Sequence, residues 1–238
     1  MVVDRRRLRL TKYNDWVMSI EPEIRAVLFD YGMVLSGPPD ATACRDMERI
    51  LGVDEETFQA AYWKYRDSYD RGVLSGLAYW KCVAGELHET LKAADLDALI
   101  DADNALWTQP NYPMIEWAVG LQRAGMKTGI LSNIGDAMET GIRARFPWLE
   151  EFSHHTFSHR LGIAKPDPAI YRHATEGLQV PAGEILFIDD KEENILAART
   201  AGMLAVQYSS HEAFLAEMRS IGLGPLLSPS TLLSPSTT

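Results

Sequence analysis

Cysteine is scarce in this chain of 238 residues: there are two, Cys44 and Cys82, with no spacing that makes a metal knuckle or a redox pair. Such sparse usage suits a reducing compartment, so the chain is expected to be cytoplasmic and a Cys44–Cys82 disulfide has little support. Long apolar runs are missing too. No stretch approaches the ~20 residues that span a bilayer, and no membrane partner is expected. The basic segment Arg5-Arg6-Arg7-Leu8-Arg9 is not followed by a continuous apolar region, which argues against a secretory signal. It reads as a frayed extension (1–22), with Met18 an alternative start; an anionic-surface tether would need a second signal. Positive charge is in deficit, with 23 Lys and Arg against 33 Asp and Glu for a net charge of −10. Nucleic acid is thereby excluded as the main partner, since phosphate backbones are held by clustered cations. A smaller phosphate would need a local positive site, and with it a metal ion.

What is present is ordinary for a globular protein: 46% hydrophobic and 24% charged residues. The length fits either one α/β domain or a core carrying a smaller insert. Around one stretch, Ala26-Val27-Leu28-Phe29-Asp30-Tyr31-Gly32, the rest is organised. Four apolar residues run into an aspartate, the pattern of a buried parallel strand that delivers a carboxylate to its C-terminal end. Gly32 is expected to let the chain turn sharply there. In open α/β sheets the crevice beyond the strand ends is where ligands sit.

After Ser36-Gly37-Pro38-Pro39 a helical region follows that does not alternate with strands, so 36–107 reads as an inserted helical cap of four helices. Asp40 and Asp54 cap the first two, ending at Gly52 and Gly72; Ser75 opens the third through Leu87, and Asp95 begins the fourth towards Trp107. The aromatic row Tyr62, Trp63, Tyr65, Tyr69 is expected to be packing at helical spacing. From Pro113 the rhythm is helix, strand, helix, strand, with strands over 127–131, about 155–158, 184–188 and 204–207. The core is therefore a Rossmann-like parallel sheet built from 23–35 and 108–222. The Ser/Pro-rich duplication in 226–237 predicts a disordered tail from 223 to 238.

Four strand ends carry polar residues: Asp30, Ser132, the Lys165 turn and Asp189-Asp190. In a parallel sheet all of them point over one crevice. Asp30 and Asp190 would offer oxygens to a hard cation such as Mg²⁺, with the Gly32 carbonyl a third ligand. Lys165 and the Ser132 hydroxyl would meet an anion beside it. Tyr31 and Asn133 are placed at the same crevice. His154, His155 and His159 invite a zinc reading, but adjacent strand residues face opposite ways, so they are read as loop or core histidines. Arg71 is a weaker candidate for meeting substrate from the cap.

Asp30-Tyr31-Gly32-Met33-Val34-Leu35, Leu131-Ser132-Asn133, Gly162-Ile163-Ala164-Lys165-Pro166-Asp167-Pro168 and Phe187-Ile188-Asp189-Asp190, in that order, resemble the four motifs of the haloacid dehalogenase superfamily. The resemblance covers 26 to about 208, and the insert resembles that superfamily's helical cap of the first type. It implies a Mg²⁺-dependent phosphatase acting on a small phosphorylated metabolite. Asp30 would be the nucleophile that forms an aspartyl phosphate. Ser132, Asn133, Lys165 and Tyr31 would meet the phosphoryl group and substrate. Asp30, Gly32, Asp190 and Asp189 would serve the metal, Asp189 in its shell or orienting the lysine, and Asn194 stands where many members carry an outer-sphere aspartate. One position departs from the pattern. Phosphatases of the superfamily usually carry a second aspartate, a general acid, where this chain has Gly32. That omission predicts a leaving group needing little protonation, such as an anomeric sugar phosphate or an anhydride, or else a slow enzyme. A haloacid dehalogenase, which would use Asp30 and Lys165 without metal, and a phosphate-binding protein without turnover are the rival readings. Monomer and homodimer are both compatible with the sequence.

Overall fold

A computed structural model describes residues 23–228. Five strands form one parallel sheet: β1 (Ala26–Phe29), β2 (Lys127–Ser132), β3 (His154–Phe157), β4 (Ile185–Asp189) and β5 (Leu204–Gln207), in the spatial order β3-β2-β1-β4-β5. The chain builds outward from β1 through β2 to β3, then returns to β1's other side for β4. That reversal puts the topological switch point next to β1, where open α/β sheets hold ligands.

Strand side chains alternate between two apolar layers. Val27, Phe29, Ile130, Leu186 and Ile188 face a cluster closed by Trp117, Leu121 and Phe214. Ala26, Leu28, Leu131 and Phe187 face the other way, onto Ile170, Ala174, Leu178 and Ile195. The first layer is covered by α6 (Tyr112–Arg123) and α11 (His211–Ser220), the second by α9 (Pro168–Leu178) and α10 (Glu192–Thr200). Sandwiched on both faces, the strands read as near-continuous apolar runs, which is why β1 and β4 were legible. β3 begins one residue earlier than expected, and it is continued by the single turn α8 (Ser158–Leu161).

Between β1 and α6 the chain makes five helices, one more than expected: α1 (Ala41–Leu51), α2 (Glu55–Lys64), α3 (Arg66–Asp70), α4 (Gly76–Glu86) and α5 (Ala93–Leu106). The long second helix breaks because Tyr65 (φ −108°, ψ 1°) leaves helical dihedrals, and α3 restarts with Arg66 and Tyr69 buried. α5 starts at Ala93 rather than Asp95; Asp95 sits in its first turn and accepts from the Lys92 N–H (3.0 Å), a capping-box contact. These helices share their own core, including Met47, Phe58, Tyr62, Trp80 and Leu99.

The two chain crossings are hydrogen-bonded to each other, Gly37 N–H to Gln109 O (2.6 Å) and Asn111 N–H to Leu35 O (3.0 Å). A second seam joins the helical unit to α7 (Asp136–Arg145) and α8. There the backbone approaches so closely that a Cβ added at Gly135 would lie 2.1 Å from the Tyr69 ring, and one at Gly72 2.3 Å from the His159 carbonyl oxygen. Asp136 Oδ1 accepts the Gly76 N–H (2.8 Å), and Ser158 Oγ donates to the Asp70 carbonyl.

Residues 223–228, expected to belong to a disordered tail, pack on the core. Gly224–Leu227 is a 3₁₀ turn, Leu223 and Leu226 are buried, and Trp117 Nε1 donates to Leu226 O (2.8 Å). The apolar pair at the head of the duplication anchors it, outweighing its Ser/Pro content. The remaining expected tail (229–238), and the basic extension 1–22 with Met18, lie outside the described residues. Among the described residues no helix is long and apolar enough to cross a membrane, and Cys44 and Cys82 are free.

Candidate active site

Lys165 is the hub. Its ammonium is buried and bridges two carboxylates, Asp30 Oδ2 at 2.9 Å and Asp189 Oδ2 at 2.6 Å. Asp30 ends β1, with its N–H donating to Ile188 O (2.8 Å) and its Oδ1 accepting the Tyr31 N–H (2.7 Å). Asp189 ends β4 with no exposed surface. Its oxygens also accept Asn194 Nδ2 (2.9 and 3.0 Å) and the Lys191 N–H (2.8 Å). Asn133, just after β2, clamps Lys165 by its backbone: Oδ1 accepts the Lys165 N–H (2.8 Å) and Nδ2 donates to the Lys165 carbonyl (3.0 Å). Ser132 lines the same cavity, its hydroxyl uncommitted among the described residues.

Burial dominates the electrostatics. It pushes the Asp30 carboxyl up to about 7; Lys165 opposes the rise, and Asp189 and Asp190 add to it. Burial and then Asp189 raise Asp190 in the same direction. For Lys165, burial works against the charged form, but Asp189 and Asp30 outweigh it and hold the ammonium above its ordinary range. Asp30, Asp189 and Asp190 each present an oxygen, all within 4.8 Å of one another, and one ammonium cannot balance three carboxylates. The buried Asn194 Oδ1 beside them has no partner among the described residues. An all-oxygen donor set with surplus negative charge fits a hard divalent cation.

The structure alters several expectations. Gly32 does not supply the turn: its φ of −62° and ψ of 135° suit any residue, and the left-handed residue is Met33 (φ 60°). A Cβ at Gly32 would meet only the Trp107 ring, at 3.9 Å, which is ordinary contact. Tyr31 lines the cavity as expected, but its hydroxyl donates to Trp107 O (2.9 Å) and so ties the Asp30 loop to the helical unit rather than reaching a phosphate. Asn133 likewise has both amide atoms engaged by Lys165, leaving its side chain to order the loop. Asp189, expected in the metal's shell or orienting the lysine, has both oxygens in hydrogen bonds, one of them with Lys165, and lies beside Asp30 and Asp190. Arg71 pairs with Asp67 on the surface (2.9 Å) and does not line the cavity. His154, His155 and His159 go to three places: beside His173, onto Leu149 O, and onto Glu139.

The roof over Asp30 escaped sequence reasoning. It holds Arg66, Asp70, Trp63 and Trp107 around a cavity of about 150 Å³. Trp63, expected to be packing, is more than half exposed and stands at the mouth. A signal was available for Arg66, which falls four residues after Tyr62 and three before Tyr69 and so shares their buried face.

A family model described as haloacid dehalogenase-like hydrolase matches residues 24–202, three quarters of the chain. The chain belongs to the haloacid dehalogenase-like hydrolase family. Among curated relatives, bifunctional epoxide hydrolase 2 of Sus scrofa is 33% identical over 215 residues, covering 83% of this chain and 39% of its own length. The chain thus spans about two fifths of the first relatives it matches. Phosphatase MT3486 of Mycobacterium tuberculosis is 29% identical, over 76% of this chain and 86% of its own. (S)-2-haloacid dehalogenase 1 of a Pseudomonas strain is 27% identical, over 77% and 84%. The fold is shared by a HAD family enzyme of Bacteroides thetaiotaomicron, bt-2542, solved with magnesium and inorganic phosphate (TM-score 0.67, 20% identity, 79% of this chain and 96% of that one). This chain is accordingly a hydrolase of that family, with phosphatases among its relatives.

Proposed function

We propose that the chain is a Mg²⁺-dependent phosphohydrolase that acts on a small phosphorylated metabolite, in the cytoplasm, through an aspartyl phosphate on Asp30. The observation that carries this reading is the bridging of Asp30 and Asp189 by Lys165 with a third carboxylate, Asp190, close by. A site with that much negative charge needs a cation, and once it holds one it can receive a phosphoryl dianion. The relatives agree with it: one is a phosphatase, and one structural neighbour holds magnesium with phosphate.

Asp30, Asp190 and the Gly32 carbonyl would hold the Mg²⁺, with Asp189 acting through Lys165. Bound there, the ion offsets charge between the carboxylates and the phosphoryl oxygens. An Asp30 oxygen attacks phosphorus as the bond to the leaving oxygen breaks; water then attacks phosphorus and inorganic phosphate departs. Lys165 and Ser132 donate to the transferring oxygens. The helical unit, 36–107, serves as the cap that closes over the leaving group. Without an acid at position 32, the departing oxygen draws its proton from water, which favours leaving groups of low basicity.

A metal-free dehalogenase is the second reading, since one relative is a haloacid dehalogenase and Gly32 supplies no acid. The three crowded carboxylates count against it: burial raises the Asp30 carboxyl, Asp189 and Asp190 raise it further, and without a metal ion Lys165 opposes the rise by itself. A screen of phosphate esters and 2-haloacids, with and without Mg²⁺, separates the two. Phosphate release that requires Mg²⁺ is expected; halide release without metal would replace this reading by the other.

A further inference from the structure

The roof of the cavity carries its own charge arithmetic. Arg66 is 8% exposed, and its Nε donates to Asp70 Oδ1 at 3.0 Å. Its Nη1 lies 3.3 Å from Asp103 Oδ1 and donates to the Tyr62 hydroxyl, while the Tyr62 hydroxyl donates to the same Asp103 oxygen at 2.8 Å. One guanidinium is therefore matched by two carboxylates, and the roof carries a surplus of one negative charge. Lys191, at the rim, neighbours Asp190 in sequence and is the other cation facing the cavity besides Lys165 and Arg66. Apart from the floor residues already described, the lining is apolar or aromatic: Trp63, Trp107, Met33, Ile134 and Met138.

From this we infer that the leaving group of the substrate carries no negative charge and presents an apolar face to the two tryptophans. The inference deepens the phosphohydrolase reading and rests on it. A leaving group bearing a carboxylate or second phosphate would meet Asp70 with no unmatched cation on the roof. Desolvated polar groups left unmatched discriminate more strongly than a poor apolar fit. Arg66 and Asp70 are thus specificity-determining residues, with Asp103 positioning Arg66 from behind.

The test uses the full chain with Mg²⁺ and three aryl phosphates differing only at the ring's para position: phenyl phosphate, its carboxylate and its trimethylammonio derivative. Rates are corrected for leaving-group basicity with a neutral aryl series. The expected kcat/KM for phenyl phosphate exceeds that for the carboxylate ester by ~10-fold or more, mainly through KM, and the trimethylammonio ester is used better than the carboxylate ester. Asp70→Asn and Asp103→Asn each remove the roof's surplus negative charge and are expected to raise the carboxylate-to-phenyl ratio several-fold. Use of the carboxylate ester equal to or better than that of phenyl phosphate by the unaltered protein overturns the inference alone. An unchanged ratio in both variants, each folded by circular dichroism and releasing phosphate from phenyl phosphate, does the same. Absence of phosphate release from all three esters by the unaltered protein overturns the phosphohydrolase reading and the inference with it.

Discussion

The floor and roof of the cavity solve one electrostatic problem with opposite outcomes. Below, Lys165 lies between Asp30 and Asp189; above, Arg66 lies between Asp70 and Asp103. Each is a buried cation held by two acids. The floor then adds Asp190, and the excess draws in something from outside the chain. The roof adds no further acid and wraps Arg66 with the Tyr62 and Tyr69 rings at 5.3 and 5.2 Å, so its surplus is one charge where the floor's is two. A charged pair becomes reactive through the charge left over rather than the charge that is matched.

The sharpest break in the comparison is Asp30→Asn, which removes the nucleophile and is expected to lower phosphate release by about 10⁴-fold or more, read by steady-state kinetics. The same experiment on the roof, Asp103→Asn, should leave turnover of neutral esters within about tenfold, since Asp103 lies behind Arg66. Next come the two cations. Lys165→Met and Arg66→Met each strand two acids and should cost about 3–5 kcal/mol by chemical denaturation. Mg²⁺ should restore a substantial part of the loss for Lys165→Met and none for Arg66→Met; equal rescue of both would collapse the distinction drawn here.

Gly32→Asp tests the floor's missing acid. The backbone there accepts any residue and a Cβ fits against Trp107. The variant is expected to accelerate poor leaving groups by up to about 10²-fold and to flatten the dependence of rate on leaving-group pKa. An unaltered slope would show that proton donation does not limit the reaction.

The smallest effect is on stability against pH. In the metal-free protein the Asp30 carboxyl is raised from 3.8 to about 7. Its contribution is therefore fully present below pH 3.8 and is lost as pH rises through about 7, because the folded state binds the proton more tightly. Mg²⁺ binds the ionised form, so the Mg²⁺-induced rise in Tm should grow from pH 5 to pH 8, by a few degrees. A rise that shrinks with pH would remove Asp30 from the ligand set.

The two halves also differ in how far the sequence disclosed them. The floor was legible because Asp30, Ser132 and Asp189-Asp190 stand at the ends of apolar runs, and a parallel sheet gathers strand ends whatever lies between them. Lys165, in a turn beyond α8, was legible through its motif Gly162-Ile163-Ala164-Lys165-Pro166-Asp167-Pro168. Finer details failed where a side chain's partner was a backbone group: Tyr31 and Asn133 hold Trp107 and Lys165 by main-chain atoms, which no spacing announces. The roof was illegible for a related reason. Arg66, Tyr62 and Asp103 meet across about forty residues through the packing angles of short helices, and those angles depend on a break at Tyr65 that helical periodicity conceals.

The close seam at Gly72 and Gly135 has a consequence for folding. Tyr69 packs on a backbone belonging to the sheet layer, and its stacking partner Tyr79 packs in the helical unit, 4.7 Å away between ring centroids. The insert thus completes its own core only when the sheet domain is already there to lean on. Denaturation should accordingly show one cooperative transition for both parts, and the isolated insert should not hold its native packing.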